Sequence, residues 1–306
     1  MANTVDEFLD AFRKQAPLFY KSVARTESNH PELFRELGSV MLDWARNAIG
    51  DSWKEQLIKG YMTFVVDVNK CQNQYEVTGR YPSSSYSEVA ARTYHNAGFM
   101  SRYHWGVYAS LFAWEHHLLL YEFFKKQFLA EIVLVNDRPV ALDLGCGSGI
   151  WSALLLNKSP AFRSDMVDIS RTTVDLTRKF MQVAGFGGKV DVRCEDAMAF
   201  HGNTRYDAGM SCFLLEHLET PEKLLANLCN NLHLGAKAFI SAALTAAESD
   251  HIFEFKRESE IILLCEEAGF RVLSTLSVAP DRGTLGERYL PRSMALILQK
   301  RHGDLW

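Results

Sequence analysis

One stretch constrains the fold more than any other: Val140-Ala141-Leu142-Asp143-Leu144, followed by glycines at 145, 147 and 149 and then by a helical pattern opening near Ile150. The apolar run is the length of a buried strand and too short for a helix. The glycines behind it remove the Cβ atoms that would keep a ligand off the main chain. The helix N-terminus that follows presents unpaired N–H groups to an anionic or polar ligand. A strand, a bare turn and a helix in immediate succession belong to a chain that alternates β and α around a parallel sheet.

That alternation continues to the C-terminus. Strands are expected at 140–144, 163–167, 189–193, 208–212, 236–244, 271–278 and 293–299, and helices at 150–157, 171–184, 221–232 and 252–268, the last closed by Gly269. Upstream of Asn136-Asp137-Arg138-Pro139 the pattern is helical. Val5, Phe8, Leu9 and Phe12 recur at helical spacing, as do Leu33, Leu37, Met41 and Trp44 after Asn29 and Pro31. A helix is expected over Trp53–Val66, Ser85 with Glu88 forms a capping-box pattern, and an apolar, aromatic helix is expected from Tyr103 to Glu131. Residues 79–85 have turn composition. The chain therefore divides into a helical part, 1–135, and an α/β part, 136–306.

The turn departs from the dinucleotide spacing G-x-G-x-x-G, because the third glycine comes one position early and Ile150 stands in its place. Asp168, nineteen residues past Gly149, ends the second strand, where a carboxylate can accept hydrogen bonds from a ribose diol. A helix N-cap is the plain alternative for this residue. Asp143-Leu144-Gly145-Cys146-Gly147-Ser148-Gly149 resembles motif I of the class I S-adenosylmethionine-dependent methyltransferases, and the likeness extends over roughly 140–300. It implies a Rossmann-like α/β fold with a seven-stranded, mostly parallel sheet, here carrying an N-terminal all-helical cap, and S-adenosylmethionine as co-substrate. By the same resemblance Asp143 supports the amino group of the cofactor, Gly145, Cys146, Gly147 and Gly149 back its methionine part, Asp168 meets the ribose, and Ile169 is a further cofactor-binding residue. Asp196 faces the exocyclic amine of adenine, Ala197 offers a backbone N–H, and Phe213 lies beneath the cofactor.

Sixteen aromatic residues stand between Tyr61 and Phe128. Their π-faces attract cations, and a sulfonium is a cation. Two readings fit: a lid that shields the sulfonium and contacts substrate through some of Tyr81, Tyr86, Tyr94, Tyr103 and Trp114, or an aromatic core fastening helices to the sheet. His104, His116 and His117 lack metal-ligand spacing and read as structural or surface residues, so no metal is expected. His217 is either a hydrogen-bonding prop or catalytic. Asp250-His251 is either a substrate-binding pair or, through Asp250, the N-cap of the helix expected from Ile252.

Three functions remain open at this level. The first is methyl transfer to a small molecule by SN2 attack at the sulfonium methyl, on an N, S, O or C acceptor, with Glu216, His217 and His251 as candidate bases. The second is intramolecular attack of the cofactor's α-amine on its γ-carbon, as in the azetidine-2-carboxylate synthases, whose aromatic helical cap this layout resembles. The third is a non-catalytic binding module. A net charge of -4 speaks against nucleic acid or an anionic membrane as partner. Six scattered cysteines, acids at positions 6, 7 and 10, and no apolar run of ~18 residues predict a cytoplasmic, unexported protein, monomeric or homodimeric.

Overall fold

The structure is a computed structural model and describes residues 4–132, 136–280 and 289–301; the junction expected at 135 falls partly outside these residues. Helices α1 (Thr4–Gln15), α2 (Pro17–Asn29), α3 (Pro31–Ile49), α4 (Trp53–Thr78), α5 (Tyr86–Arg92), α6 (Ala97–Ala113) and α7 (Glu115–Phe123) precede a π-helical turn, Phe124–Leu129. The apolar stripe Val5, Phe8, Leu9 and Phe12 is buried, and Pro17 and Pro31 open α2 and α3 at their first turns, where a missing N–H removes no bond. Helices α4 and α6 cross in backbone contact: a Cβ added at Gly106 would lie 2.6 Å from the carbonyl oxygen of Gly60.

The α/β part comprises β1 (Val140–Leu144), α8 (Ile150–Lys158), β2 (Arg163–Asp168), α9 (Arg171–Val183), β3 (Val190–Cys194), β4 (Tyr206–Cys212), α10 (Pro221–Asn231), β5 (Leu232–Leu244), α11 (Glu258–Glu267), β6 (Phe270–Val278) and β7 (Arg292–Lys300). Its seven strands follow the order β3-β2-β1-β4-β5-β7-β6, all parallel except β7, which pairs antiparallel with both neighbours. This is the Rossmann-like methyltransferase fold that the resemblance of the turn implies. The order reverses between β1 and β4, and ligands of open α/β sheets bind beyond the carboxyl ends of strands at such a switch point.

One continuous cluster of buried apolar side chains runs from Val5 in α1 to Ile297 in β7. Trp44 meets the rings of Phe180 and Phe186 edge-on, and Phe124 meets Trp151 and Phe239. The helical part and one face of the sheet thus share a core, while α10 and α11 cover the other face around Leu142, Leu144 and Leu296.

Three expectations need correction. Helix α4 runs on to Thr78 and closes at Gly79, in the left-handed region, rather than stopping at Val66. The helix expected over 103–131 is broken at Trp114, whose backbone is extended; its Nε1–H donates to the Tyr61 hydroxyl at 3.0 Å and its ring stacks on Phe64. The last helix begins at Glu258 and not near Ile252, because the amides of Ile252 and Phe253 donate to the carbonyl of Glu216 and Phe255 accepts from the amide of Thr245. Asp250 therefore caps no helix.

Candidate active site

At the β1/β4 switch point a cavity of about 840 Å³ opens, walled on one side by the glycine turn and on the other by α4, α6 and the segment around Trp114. The three glycines serve different ends. Gly145 (φ 73°) and Gly149 (φ 74°) are pressed against side chains, where an added Cβ would lie 2.4 Å from Leu214 and 2.7 Å from Thr177. Gly147 (φ 50°) has nothing within 4 Å of that position and lines the cavity, so it supplies the bare approach to main chain. The sequence argument assigned this role to all three.

Asp168 faces the same space. Its Oδ2 accepts from Gly147 N at 3.0 Å and its Oδ1 from Ser170 N at 2.9 Å, which fixes the carboxylate and leaves lone pairs for a diol. Burial raises its pKa against those two amides. Cys146, Ile169, Asp196, Ala197 and Phe213 also line the cavity. Phe213 holds a left-handed backbone (φ 52°) at the end of β4, secured by its amide on Ser241 O, and its ring lies 4.9 Å from that of His117. Asp143 stands apart. It is 1% exposed, takes the Ser152 hydroxyl at 2.6 Å and is pushed up to about 7 by burial, so it stands behind the wall and not on it.

Of the five aromatic residues singled out in the cap, Tyr86, Tyr94, Tyr103 and Trp114 line the cavity. Tyr81 does not; its ring packs on Tyr75 and His251. Tyr86 stacks on Tyr94 with centroids 6.0 Å apart, and its amide donates to Glu219. His104, His116 and His117, read above as structural or surface residues, belong to the cavity wall. His104 is driven down to about 4 by burial, and His117 is also lowered by burial, its Nδ1 sharing a bond with the Ser110 hydroxyl.

The inner end holds a cluster of acids and imidazoles from two segments: Glu216 and His217 in a 3₁₀ turn after β4, and Glu248, Asp250 and His251 after β5. The Tyr103 hydroxyl donates to Glu248 at 2.7 Å, and the Tyr94 hydroxyl lies 3.0 Å from His217 Nδ1. His217 Nδ1 and His251 Nδ1 lie 3.1 Å and 2.7 Å from the carbonyls of Asp250 and Ala246. Glu216 is 0% exposed, and neither of its carboxyl oxygens has a hydrogen-bond partner. Burial pushes it up to about 8; the amides of Glu216 and Ala243 oppose the rise without reaching bonding geometry. Glu248 is raised by burial and then by Asp250, and burial drives His251 down to about 3. Among the described residues no Lys or Arg pairs with Glu216, Glu248 or Asp250. Sequence reasoning missed Glu248, although an acid two and three residues ahead of Asp250-His251 at a strand end was a readable signal.

Residues 141–235 match a family model described as a methyltransferase domain. Over 157 residues the chain is 23% identical to the ubiquinone biosynthesis O-methyltransferase of Coxiella burnetii, covering 45% of this chain and 65% of that one. A 64-residue segment is 34% identical to the ribosomal RNA small subunit methyltransferase C of Salmonella arizonae, covering 21% of this chain and 19% of the relative. The chain thus spans less than two thirds of the length of these curated relatives. Among solved structures, an O-methyltransferase family protein from Burkholderia thailandensis superposes with a TM-score of 0.53 at 14% identity, over 81% of this chain and 72% of that one, a likeness of fold. No helix among the described residues is long and apolar enough to cross a membrane.

Proposed function

Because the domain over 141–235 makes this chain a member of the class I S-adenosylmethionine-dependent methyltransferase superfamily, we propose that it transfers the methyl group of that co-substrate to a small molecule enclosed between the glycine turn and the helical cap. One observation carries the reading. The cavity is continuous from Gly147, Asp168 and Asp196, through the aromatic wall, to the Glu216, His217 and His251 cluster, so cofactor and acceptor have room side by side. Its volume of about 840 Å³ suits two small ligands, single drug-sized sites spanning about 300–1,000 Å³.

In this reading the cofactor's methionine part rests on Gly147, with its ribose on Asp168 and its adenine near Asp196 and Ala197. The faces of Tyr86, Tyr94 and Trp114 stabilise the sulfonium and exclude water, which favours an SN2 step that disperses charge. The acceptor's lone pair attacks the methyl carbon, the carbon–sulfur bond breaks with its electrons passing to sulfur, and S-adenosylhomocysteine leaves. The acid and imidazole cluster stands at the acceptor end, where a proton must depart when the nucleophile is a hydroxyl or an acidic carbon. Residues 1–135 act as the cap that supplies substrate contacts and 136–306 as the cofactor-binding part.

Incubation with methyl-labelled S-adenosylmethionine, alone and with a panel of small hydroxyl, amine, thiol and carbon acids, tests this. The expected outcome is S-adenosylhomocysteine and label transfer only when an acceptor is present. Methylthioadenosine formed from the cofactor alone would refute methyl transfer and point to intramolecular cyclisation. Tyr86→Leu and Tyr94→Leu should lower turnover, while Tyr81→Leu, off the cavity, should leave it near wild type.

A further inference from the structure

We propose that Glu216, His217 and His251 form a binding site for a divalent transition-metal cation at the inner end of the cavity. The inference concerns the acceptor end of the site just described, but metal binding itself requires no methyl transfer. Each of the three side chains offers one donor atom within 4.8 Å of the others. Donors bound at about 2.0–2.2 Å to one ion lie about 3–4 Å apart, so capture of an ion asks these groups to close by less than about 2 Å, within reach of side-chain rotation.

The backbone contacts of the two imidazoles are those of ligating histidines. A carbonyl oxygen can only accept, so the contacts to Asp250 O (3.1 Å) and Ala246 O (2.7 Å) place the proton of each ring on Nδ1 and leave the Nε2 lone pairs of His217 and His251 for a ligand. Metal-binding imidazoles are oriented in this way, by a backbone carbonyl or carboxylate on the far nitrogen. Glu216 adds the independent observation: a fully buried carboxyl on the cavity wall, both oxygens without partners, which is unfavourable unless something absent from the protein itself meets it.

Glu248 and Asp250, whose oxygens also come within 4.8 Å of a His251 nitrogen, adjoin the site, Glu248 held by the Tyr103 hydroxyl. A dication compensates this buried acidity where, among the described residues, no Lys or Arg does so. Two imidazoles and a carboxylate suit zinc, cobalt, iron(II) or manganese better than magnesium or calcium, which favour all-oxygen shells. Three protein ligands leave positions open toward the cavity, where an acceptor oxygen could bind and lose its proton more readily.

The test uses the full chain, stripped with chelator, and cobalt(II) alone as the probe. One cobalt per chain should bind with a visible d–d absorption, and Glu216→Gln and His251→Gln should each weaken binding by at least tenfold. S-adenosylhomocysteine affinity, measured by calorimetry on the same variants, should stay within about threefold and report on folding. Crystals grown with cobalt should show an anomalous peak among Glu216, His217 and His251, which settles the matter should a variant fail to fold. No saturable cobalt binding, binding unaltered in both variants, or a peak located elsewhere would overturn the proposal. Binding of small alkylammonium ions with no response to cobalt would likewise overturn it, in favour of an organic cation.

Discussion

Replacing Gly147 by alanine separates two reasons for a glycine. The backbone there has φ 50°, a conformation an L-residue adopts at about 1–2 kcal/mol, and the new methyl meets no protein atom within 4 Å. The unliganded protein should therefore lose only ~1–2 kcal/mol, a fall in Tm of about 1.5–3 °C for a chain of this size. Ligand binding should suffer separately. The methyl projects into the space where the cofactor approaches the main chain, and the Gly147 amide also helps hold Asp168, at 3.0 Å. The methyl holds the ligand off the main chain, and stretching a contact worth ~1 kcal/mol while spoiling close packing should weaken S-adenosylhomocysteine at least tenfold, ~1.4 kcal/mol. Thermal melts and calorimetry on Gly147→Ala and Gly145→Ala make the comparison. The latter should lose more stability, since its Cβ would fall 2.4 Å from Leu214. Affinity within threefold of wild type for Gly147→Ala, with the expected small fall in Tm, would refute the assignment of the turn as the cofactor's seat.

Asp168→Asn should raise the Kd of S-adenosylhomocysteine about 10- to 150-fold, the range of one charge-assisted bond at ~1.5–3 kcal/mol; unchanged calorimetric affinity would remove Asp168 from the ribose. For Asp143, whose carboxyl rises from 3.8 to about 7 on folding, the protonated form is favoured in the native state. Its stability contribution is therefore present below pH 3.8 and lost as pH climbs through 7. Asp143→Asn should gain Tm over wild type at pH 8, with a ceiling on the order of 4 kcal/mol from the size of the shift, and the gain should shrink toward pH 4; a pH-independent difference would contradict this. Gly106→Ala, with its Cβ 2.6 Å from the Gly60 carbonyl, should destabilise the protein by about 1–3 kcal/mol in chemical denaturation while leaving cofactor affinity intact.

The sheet was legible because each strand is a short apolar run bounded by turn residues, and all seven expected strands are present, β1 with the expected bounds and six with shifted ends. The meeting of the glycine turn with an acid was legible for the same local reason: Gly147 lies on the turn after β1 and Asp168 ends β2. What escaped depends on partners distant in sequence. Nothing near Trp114 signals a break, since the pull comes from Tyr61, 53 residues away. The pattern after Ile252 is helical on its face, but its first amides are engaged by Glu216. Tyr81 and Tyr94 look alike in the sequence and part company only when the turn after α5 brings one to the cavity and the loop before α5 turns the other toward His251. The acid and imidazole cluster is assembled by the neighbouring of β4 and β5, which no single window of sequence contains.

The seam at Trp44, Phe180 and Phe186 has a bearing on how such a protein can change its substrate. Cutting there would leave two oily faces without partners, so neither piece should persist alone, and a foreign helical module grafted in its place would find no matching surface. New specificity has to come by exchanging individual side chains along the inner lining, one Tyr or His at a time, with the frame around them kept whole.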